Sequence, residues 1–309
     1  MIDVIPLSDL GDALSRGEVV AVPGPHGWVA LARAGERERL LALPGVEPGE
    51  ISLTAGSATA LADFLPPLGL RAQRVVQRLL PGPVAIRLGE GPVVRLPDHA
   101  AWAALAQRRE PLLLAPLGAS APVGLARIDL PVCAPVVESR LAIAAGRPLQ
   151  ILASGARSID QLETASTVHL LFVCSGNTCR SPMLTALTRA ALDRRGLGDV
   201  RVESAGTFAS EGARASDEAQ AAMAARGLSL VDHRARPADE IELGLYDRIH
   251  CMTAGHAAFM RHLGVADDRL DVINASAGGV PDPYGGDRAA YEACATILSY
   301  AADAIAAEI

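Results

Sequence analysis

The stretch VHLLFVCSGNTCRSP, residues 168–182, carries most of the information about this chain. Its first part, residues 168–173, is a short apolar run typical of a buried strand in a parallel sheet. Pro182 suits the first turn of a helix, and apolar side chains then recur at helical spacing. The order of strand, tight loop and helix predicts a loop whose backbone N–H groups bind an anion at a helix N-terminus.

Five residues of this loop suit phosphoryl chemistry. Gly176 and Asn177 tolerate the positive φ angles that such a loop requires. Arg180 can donate two hydrogen bonds to oxygens of one phosphoryl group. We expect Cys174 beneath the phosphorus, where the N–H groups and the helix dipole would lower its pKa from about 8.5 and make it a nucleophile. Ser181 would hydrogen-bond the sulfur and help it to leave.

A second stretch, VPDPYGG at residues 280–286, supplies a candidate general acid. A thiolate that attacks phosphorus needs an acid to protonate the departing atom. Asp282 lies between two prolines in a stiffened loop and is the leading candidate, and Tyr284 is a candidate wall of the pocket. Each piece also has a purely structural interpretation, since a cysteine at a strand end is often a small buried hydrophobe and Pro-Asp-Pro is often a turn.

Residues 169–309 resemble the low-molecular-weight protein tyrosine phosphatases. Besides the loop, the resemblance rests on ordered motifs: Ser204-Ala205-Gly206-Thr207, residues 226–230, His233-Arg234-Ala235-Arg236, residues 246–249 with Met252-Thr253, and Asp282-Pro283-Tyr284. It implies a doubly wound parallel α/β sheet and a phosphocysteine intermediate, with phosphorylated proteins as partners. Carried across, Cys174 is the nucleophile, Arg180 the phosphate clamp and Asp282 the general acid. The remaining loop residues would bind phosphate or substrate: Ser175, Gly176, Asn177, Thr178, Cys179, Ser181 and, from the second stretch, Tyr284.

Thr178 bears on the substrate. Tyrosine phosphatases of this family typically carry a bulky aliphatic residue there, whereas the protein arginine phosphatases carry Thr and a following Asp-Pro-aromatic-Gly-Gly loop. A hydroxyl can orient a guanidinium that an aliphatic wall would leave unpaired. Tyr284 stands where the arginine phosphatases more often have Phe, so phosphoarginine and phosphotyrosine both stay open, as does the interpretation that Thr178 only fills space.

The other cysteines and the histidines suggest no metal site. In the resembled family a second loop cysteine, here Cys179, can form a reversible disulfide with Cys174, and a packed thiol is the equal alternative. We expect Cys251 in a strand and Cys294 in a helix, both in the core. No metal or cofactor is expected, because three histidines lack the spacing of metal ligands on a helix: His250, His256 and His262.

The first half, from Val4 to Arg157, resembles the threonylcarbamoyl-AMP synthases. The matching pieces are residues 17–23, 80–84, 93–99 and 151–156, and they imply a twisted α/β sheet around a concave cleft. The sequence departs from the synthase pattern at the substrate site. Where the synthases have a Thr-Asp-Thr run, this chain has Gly24-Pro25-His26-Gly27-Trp28, and where they have Ser-Ala-Asn it has Leu117-Gly118-Ala119-Ser120. The Lys that the synthases require is absent. We therefore expect a catalytically silent domain, in which Arg95, the matching basic residue, is a surface strand residue.

Two alternatives for this first half stay open. It could retain L-threonylcarbamoyladenylate synthase activity for tRNA modification, or it could be a nucleotide-binding regulatory module. Fold resemblance alone does not choose between them.

The length of 309 residues suggests two domains, which we place at 1–158 and 167–309 with a linker at 159–166. Alternating apolar and helical segments predict α/β architecture in both. In the first domain we expect strands at Val19–Val22, Val84–Leu88 and Val93–Leu96, and helices at Ser8–Arg16 and Ala100–Arg108, the latter capped by Asp98.

The charge balance argues against some partners. All 28 basic residues are arginines against 35 acidic ones, which gives a net charge of −7. This disfavours general binding to nucleic acid or anionic membranes, which need clustered positive charge. We expect a cytoplasmic protein for three reasons. The count of five cysteines is odd, the sequence shows no secretory leader pattern, and no apolar run comes near the roughly 20 residues of a spanning helix. The oligomeric state is left open.

Overall fold

The computed structural model describes residues 4–24, 27–120, 122–130 and 136–309. Cys133, and Pro25 and His26 of the run that departs from the synthase pattern, lie outside the described residues. The chain divides into two compact units, one of residues 1–145 and 149–166 and the other of residues 146–148 and 167–309. The predicted domain limits stay a prediction, since contact density does not test whether either part folds alone.

The first unit is built on a mixed sheet. Its strands pair in the order β1-β8-β2-β3-β7-β4-β6-β5-β9-β10. They run as follows: β1 Val4–Ile5, β2 Val20–Gly24, β3 Gly27–Arg33, β4 Ser52–Thr54, β5 Val84–Leu88, β6 Val93–Arg95, β7 Leu112–Gly118, β8 Ala126–Ile128, β9 Ser139–Ile143 and β10 Gln150–Ala153. The predicted strand at Val84–Leu88 is confirmed without change, and the other two are confirmed within two residues at each end.

Short helices accompany this sheet. They are α1 Leu10–Ser15, α2 Arg37–Leu41, α3 Ala58–Ala62, α4 Leu70–Leu79, α5 Ala100–Ala104 and α6 Ile159–Ser166. Asp98 does not cap α5: the ring nitrogen Nδ1 of His99 accepts from the backbone N–H of Ala101, at 3.3 Å. Residues 159–166, expected as a linker, form α6, and its buried Leu162 packs in the core of the first unit.

Arg95 is buried, and its expected place on the surface is wrong. Its Nε donates to Oε1 of Glu138 at 2.8 Å, and its Nη1 donates to the backbone oxygen of Glu50 at 2.8 Å. The third nitrogen, Nη2, lies 3.1 Å from the carboxylate of Glu50. Because a buried cation needs charged and polar partners, these two glutamates are what allows Arg95 to sit inside the protein.

The second unit contains a parallel sheet of four strands among the described residues. They are β11 His169–Cys174, β12 Arg201–Gly206, β13 Arg248–Cys251 and β14 Leu270–Val272, paired in the order β12-β11-β13-β14. All three pairings are parallel. This order, in which the first strand is interior, is that of doubly wound sheets, whose ligands bind beyond the carboxyl ends of the strands where the strand order reverses.

Four α-helices accompany the parallel sheet in the described part of the unit. They are α7 Arg180–Arg194, α8 Asp217–Ala224, α9 Ala254–His262 and α10 Arg288–Glu308. The core includes apolar strand residues such as Leu171, Val173 and Ile249, each fully buried. Cys251 lies in β13 and Cys294 in α10, both buried, as the sequence predicts. The site described next begins at the last residue of β11.

Candidate active site

Cys174 ends strand β11 and lies at the floor of the loop that leads into α7. Because both neighbouring strands pair with β11 in parallel, its carboxyl end is held rigidly between them. The Cys174 sulfur is 3.0 Å from the hydroxyl oxygen of Ser181, which lies in the first turn of α7. The predicted contact between this hydroxyl and the sulfur is therefore present.

Asn177 fixes the shape of the loop. Its backbone has a φ of 54°, in the left-handed region, and the residue is fully buried. Its side-chain Nδ2 donates to Ser181 Oγ at 2.8 Å and to Ser204 Oγ at 2.9 Å. Its Oδ1 accepts from the backbone N–H of Arg236 at 2.9 Å, and its carbonyl oxygen accepts from Nε2 of His233 at 2.6 Å. Four bonds to one residue offset the cost of a conformation that non-glycine residues avoid.

Gly206, at the end of β12, lets the loop approach the sheet. A Cβ at this position would lie 2.4 Å from the backbone oxygen of Ser175 and 2.9 Å from the backbone nitrogen of Asn177. Real Cβ atoms do not make contacts this short with backbone, so a larger residue would push the loop out of place. The glycine in the Ser204–Thr207 motif is thus required by packing against the loop.

Arg180 and Asp282 meet although 102 residues separate them. Nη2 of Arg180 lies 2.5 Å from Oδ2 of Asp282, and the same nitrogen donates to Ser175 Oγ at 3.2 Å. Nη1 donates to the backbone oxygen of Val280 at 3.2 Å. The arginine is buried and the side chain of Asp282 is about half exposed, at 47%. The predicted clamp and the predicted acid therefore share one end of the site.

The electrostatics at Cys174 differ from the expectation of a lowered pKa. Burial raises the pKa of the Cys174 thiol above its ordinary value, while hydrogen bonds from Ser181 and the charge of Arg180 act in the opposite direction. Cys174 is only 2% exposed, and removing a thiolate from water is costly. The carboxylate of Asp282 also offsets part of the positive charge that Arg180 places near the sulfur.

His256 is a residue of this site that the sequence analysis did not assign to it. Its Nε2 lies 3.0 Å from Ser175 Oγ, and its Nδ1 lies 2.9 Å from Thr253 Oγ1. Burial, followed by the charge of Arg180, lowers the pKa of His256 to about 4, so the imidazole is neutral at pH 7. A neutral ring can hold the Ser175 hydroxyl in place without adding charge. Only the fold could reveal this, because the histidine lies 81 residues along the chain from Ser175.

A cavity of about 380 Å³ opens above the sulfur. Phe208 and Tyr284 line it and are strongly exposed, at 80% and 76%, so they form an aromatic rim. Phe208 was not predicted; it directly follows the Ser204–Thr207 motif, and its exposure is visible only in the structure. The predicted residues that line the cavity are Cys174, Ser175, Gly176, Thr178, Cys179, Arg180, Asp282 and Tyr284, whereas Asn177 and Ser181 lie buried and support the loop.

Cys179 is a free thiol here, as is Cys174. Its sulfur lies 3.3 Å from the Tyr291 hydroxyl of α10 and 3.4 Å from Ser216 Oγ. The disulfide and the packed thiol were equal alternatives, and this structure presents the packed thiol. Within the described ranges, no group of three or more His, Cys, Asp or Glu residues is arranged to hold a metal ion. No helix in the described part of the chain is both long and apolar enough to cross a bilayer.

The second half of the chain is similar to known proteins. Residues 169–309 match the model of the low molecular weight phosphotyrosine protein phosphatase family. A low molecular weight protein-tyrosine-phosphatase of Streptomyces coelicolor is 35% identical, over 46% of this chain and 94% of the relative. A protein-arginine-phosphatase of Geobacillus stearothermophilus is 32% identical, over 46% of this chain and 95% of the relative. The match to a solved structure of an arginine phosphatase from Geobacillus stearothermophilus covers 45% of this chain and 90% of the phosphatase chain, with 32% identity and a TM-score of 0.41.

The family match and the relatives identify the chain as a cysteine-dependent phosphatase. Through residues 169–309 the chain belongs to the low molecular weight phosphotyrosine protein phosphatase family. The resemblance drawn from the motifs of the second half is thereby confirmed. The match begins at residue 169, so the resemblance of the first half to the threonylcarbamoyl-AMP synthases stays a prediction.

Proposed function

We propose that this protein removes phosphoryl groups from phosphorylated proteins through a phosphocysteine intermediate on Cys174. The observation that carries the proposal is one cavity that unites a buried cysteine, a buried arginine and a half-exposed aspartate. In the first step the Cys174 thiolate attacks phosphorus in line, so that an S–P bond forms and the bond to the leaving atom breaks. Arg180 and the loop N–H groups stabilise the charge on the equatorial oxygens.

Asp282 is the proposed proton donor to the leaving atom in that step. A protonated Asp282 no longer neutralises Arg180, so the full positive charge of the guanidinium then favours the thiolate and the phosphoryl oxygens. In the second step the Asp282 carboxylate takes a proton from water, the water oxygen attacks phosphorus, and the S–P bond breaks. Ser181, 3.0 Å from the sulfur, stabilises the departing thiolate.

The proposed mechanism is tested by replacing the nucleophile. We expect Cys174→Ser to reduce hydrolysis of a generic aryl phosphate to background, because a serine hydroxyl is far less acidic than a thiol. Cys294→Ser, in helix α10, is the matched control and should keep its turnover. A Cys174→Ser enzyme that turns over at the normal rate would refute the phosphocysteine step.

We propose phosphoarginine ahead of phosphotyrosine as the substrate group. Thr178 lines the cavity and offers a hydroxyl, while the exposed rings of Phe208 and Tyr284 offer faces on which either a guanidinium or a phenol can stack. Relatives of both kinds are similar to this chain to nearly the same degree, at 32% identity for the arginine phosphatase and 35% for the tyrosine phosphatase.

A peptide panel that carries phosphoarginine, phosphotyrosine or phosphoserine tests the substrate. For Thr178→Ile we expect the ratio of kcat/KM for phosphoarginine over phosphotyrosine to fall about tenfold or more, since one unpaired polar group costs about 1–3 kcal/mol. Thr296→Ile, an exposed threonine on α10, is the control. An unchanged ratio in Thr178→Ile would remove the reason for ranking phosphoarginine first.

For the first unit we propose a catalytically silent role. The two glutamates on Arg95 support this, because a nucleotide phosphate would have to displace carboxylates that already neutralise the guanidinium. Incubation of the full chain with ATP, threonine and bicarbonate should release no pyrophosphate. Pyrophosphate release above background would restore the alternative of a retained synthase activity.

A further inference from the structure

A second cavity, of about 470 Å³, lies between helix α7, strand β12 and residues 228–236. The proposed reaction takes place elsewhere, in the cavity above Cys174. Basic side chains supply much of its wall: Arg189, His233, Arg234 and Arg236. We call this space the arginine cavity. Guanidinium groups are suited to bind phosphate.

Acidic residues also line the arginine cavity, and their charges have to be counted. They are Asp193, Glu203 and Asp232. The carboxylate of Glu203 already accepts a hydrogen bond from the Tyr246 hydroxyl and lies 3.6 Å from a guanidinium nitrogen of Arg236. Glu203 and Arg236 therefore neutralise each other. Asp193 and Asp232 also lie on the wall, so the formal charges of the lining residues balance, and an anion depends on direct hydrogen bonds from Arg189 and Arg234.

Both of these arginines are held in position by the backbone. Nη2 of Arg189 donates to the carbonyl oxygen of Val202 at 2.6 Å. Nη1 of Arg234 donates to the carbonyl oxygens of Val231 at 3.0 Å and of His233 at 2.7 Å. A guanidinium has five N–H donors, so these bonds orient each group and still leave donors for an anion.

His233 lies close to the three arginines of the cavity. Burial is the largest cause that lowers the pKa of His233, the hydrogen bond to the Asn177 carbonyl oxygen raises it, and the charges of Arg234, Arg236 and Arg189 lower it further. An anion that binds here can accept hydrogen bonds from the two guanidinium groups that the backbone orients, and a further one from the imidazolium that it favours.

Residues of the arginine cavity donate hydrogen bonds to the loop that follows Cys174. Nε2 of His233 donates to the carbonyl oxygen of Asn177, and the backbone N–H of Arg236 donates to Oδ1 of the same residue. Asn177 in turn holds Ser181, which contacts the Cys174 sulfur. An anion in the cavity would therefore lie against the residues that support the catalytic loop.

We propose that the arginine cavity binds a phosphate-class dianion at Arg189, His233 and Arg234, as a second anion site apart from the loop around Cys174. The dianion could come from free inorganic phosphate or from a second phosphorylated residue of a protein substrate. The two sources share the same chemistry, and the experiment separates them. The proposal does not depend on which phosphorylated residue the enzyme hydrolyses.

The test follows histidine ring signals by NMR in the full chain while inorganic phosphate is added. We expect phosphate to raise the titration midpoint of His233 by about 1 unit, the shift typical of a nearby opposite charge. The double variant Arg189→Gln/Arg234→Gln should lose this rise. Arg194→Gln, an exposed arginine on the same helix that pairs with Asp303 instead, should keep it.

His256 provides an internal reference in the same spectra, because it contacts Ser175 of the catalytic loop. Its response to phosphate reports occupancy of that loop and, in the double variant, an intact fold. No phosphate-dependent rise for His233 in the wild type would overturn the proposal. So would a rise that persists in the double variant, because it would then come from the catalytic loop through Asn177.

Peptides with one or two phosphorylated residues identify the source. A KM about tenfold lower for the doubly phosphorylated peptide, with the advantage lost in Arg189→Gln/Arg234→Gln, would support a site for the substrate's second phosphoryl group. Equal KM values together with the His233 response would support free inorganic phosphate as the ligand.

Discussion

The contact between Arg180 and Asp282 governs the site at the level of single residues. A buried guanidinium requires a counter-charge, and the carboxylate of Asp282 supplies it. Substrate phosphoryl oxygens compete for the same nitrogen atoms. In the proposed mechanism Asp282 thus has two opposing effects, since it supplies the proton for the reaction and weakens the binding of phosphate.

We predict that Asp282→Asn separates these two effects. The kcat for phenyl phosphate, whose leaving group is poor, should fall about 10²-fold or more, because no acid protonates the phenolate. An activated ester such as p-nitrophenyl phosphate should lose much less. The inhibition constant for inorganic phosphate should fall, since the carboxylate no longer competes for Arg180.

The control for this prediction is Asp303→Asn, an exposed aspartate whose partner is Arg194. It should leave both kinetic constants within twofold of wild type, as surface ion pairs contribute little (about 0–1 kcal/mol). Equal losses of kcat for the two esters in Asp282→Asn would argue that the aspartate is not the general acid.

Two buried histidines of the second unit, His250 and His256, are neutral at pH 7. Burial lowers the pKa of both His256 and His250 to about 4, below the 6.5 of an unperturbed ring. At pH 7 neither ring adds charge beside the catalytic loop or the sheet. The Ser175 hydroxyl therefore meets an uncharged partner, and Arg180 supplies the positive charge of the site.

At the level of elements, strand β12 and the loop after β11 have to approach closely. The bonds of Asn177 hold the loop, and the missing side chain at Gly206 makes room for it. The loop geometry is therefore a property of two strands and a helix together. Its residues alone do not determine it.

We predict that Gly206→Ala damages the site although it adds one methyl group. The Cβ would lie 2.4 Å from the Ser175 carbonyl oxygen, so the loop must move. We expect kcat to fall at least about tenfold and the free energy of unfolding to fall by about 1–3 kcal/mol, measured by aryl phosphate hydrolysis and urea denaturation.

Gly244→Ala is the matched control, since a Cβ there meets nothing within 4 Å and its backbone φ is not in the left-handed region. It should behave as wild type in both assays. If Gly206→Ala hydrolyses aryl phosphate as fast as Gly244→Ala, the close approach of β12 does not shape the loop.

At the level of the whole molecule, every catalytic residue of the proposed mechanism lies in the second unit. The nucleophile, the clamp and the acid come from residues 174–282, within the unit that contains residues 167–309. Each unit has its own buried core, formed around a mixed sheet in one and a parallel sheet in the other.

We therefore predict that residues 167–309 alone keep the activity. The kcat/KM for an aryl phosphate should stay within about threefold of that of the full chain, provided that circular dichroism shows a folded protein. A folded fragment with kcat/KM reduced more than about tenfold would show that the first unit acts on catalysis.

Much of the second unit could be predicted from the sequence because its signals are local. The apolar run of β11, the loop residues and Pro182 lie within one short stretch. Hydrophobic periodicity and the residue types favoured in turns therefore identify them. The nucleophile and the clamp belong to that stretch. Two predictions in the first unit were wrong. His99 caps α5 instead of Asp98, although both lie beside the helix, and the polar residues 159–166 form α6 because Leu162 packs in a core that is distant along the chain.

The order of strand, loop and helix and the residue types in the loop follow from the sequence, because they depend on neighbours along the chain. Which groups meet around the loop depends on the fold, and it brings Arg180 to Asp282, His256 to Ser175, and His233 to Asn177. It also decided that Cys174 is buried enough for its pKa to rise and that Arg95 lies inside between glutamates. The physical reason is that desolvation and charge pairing depend on distances across the fold, which spacing along the chain does not fix.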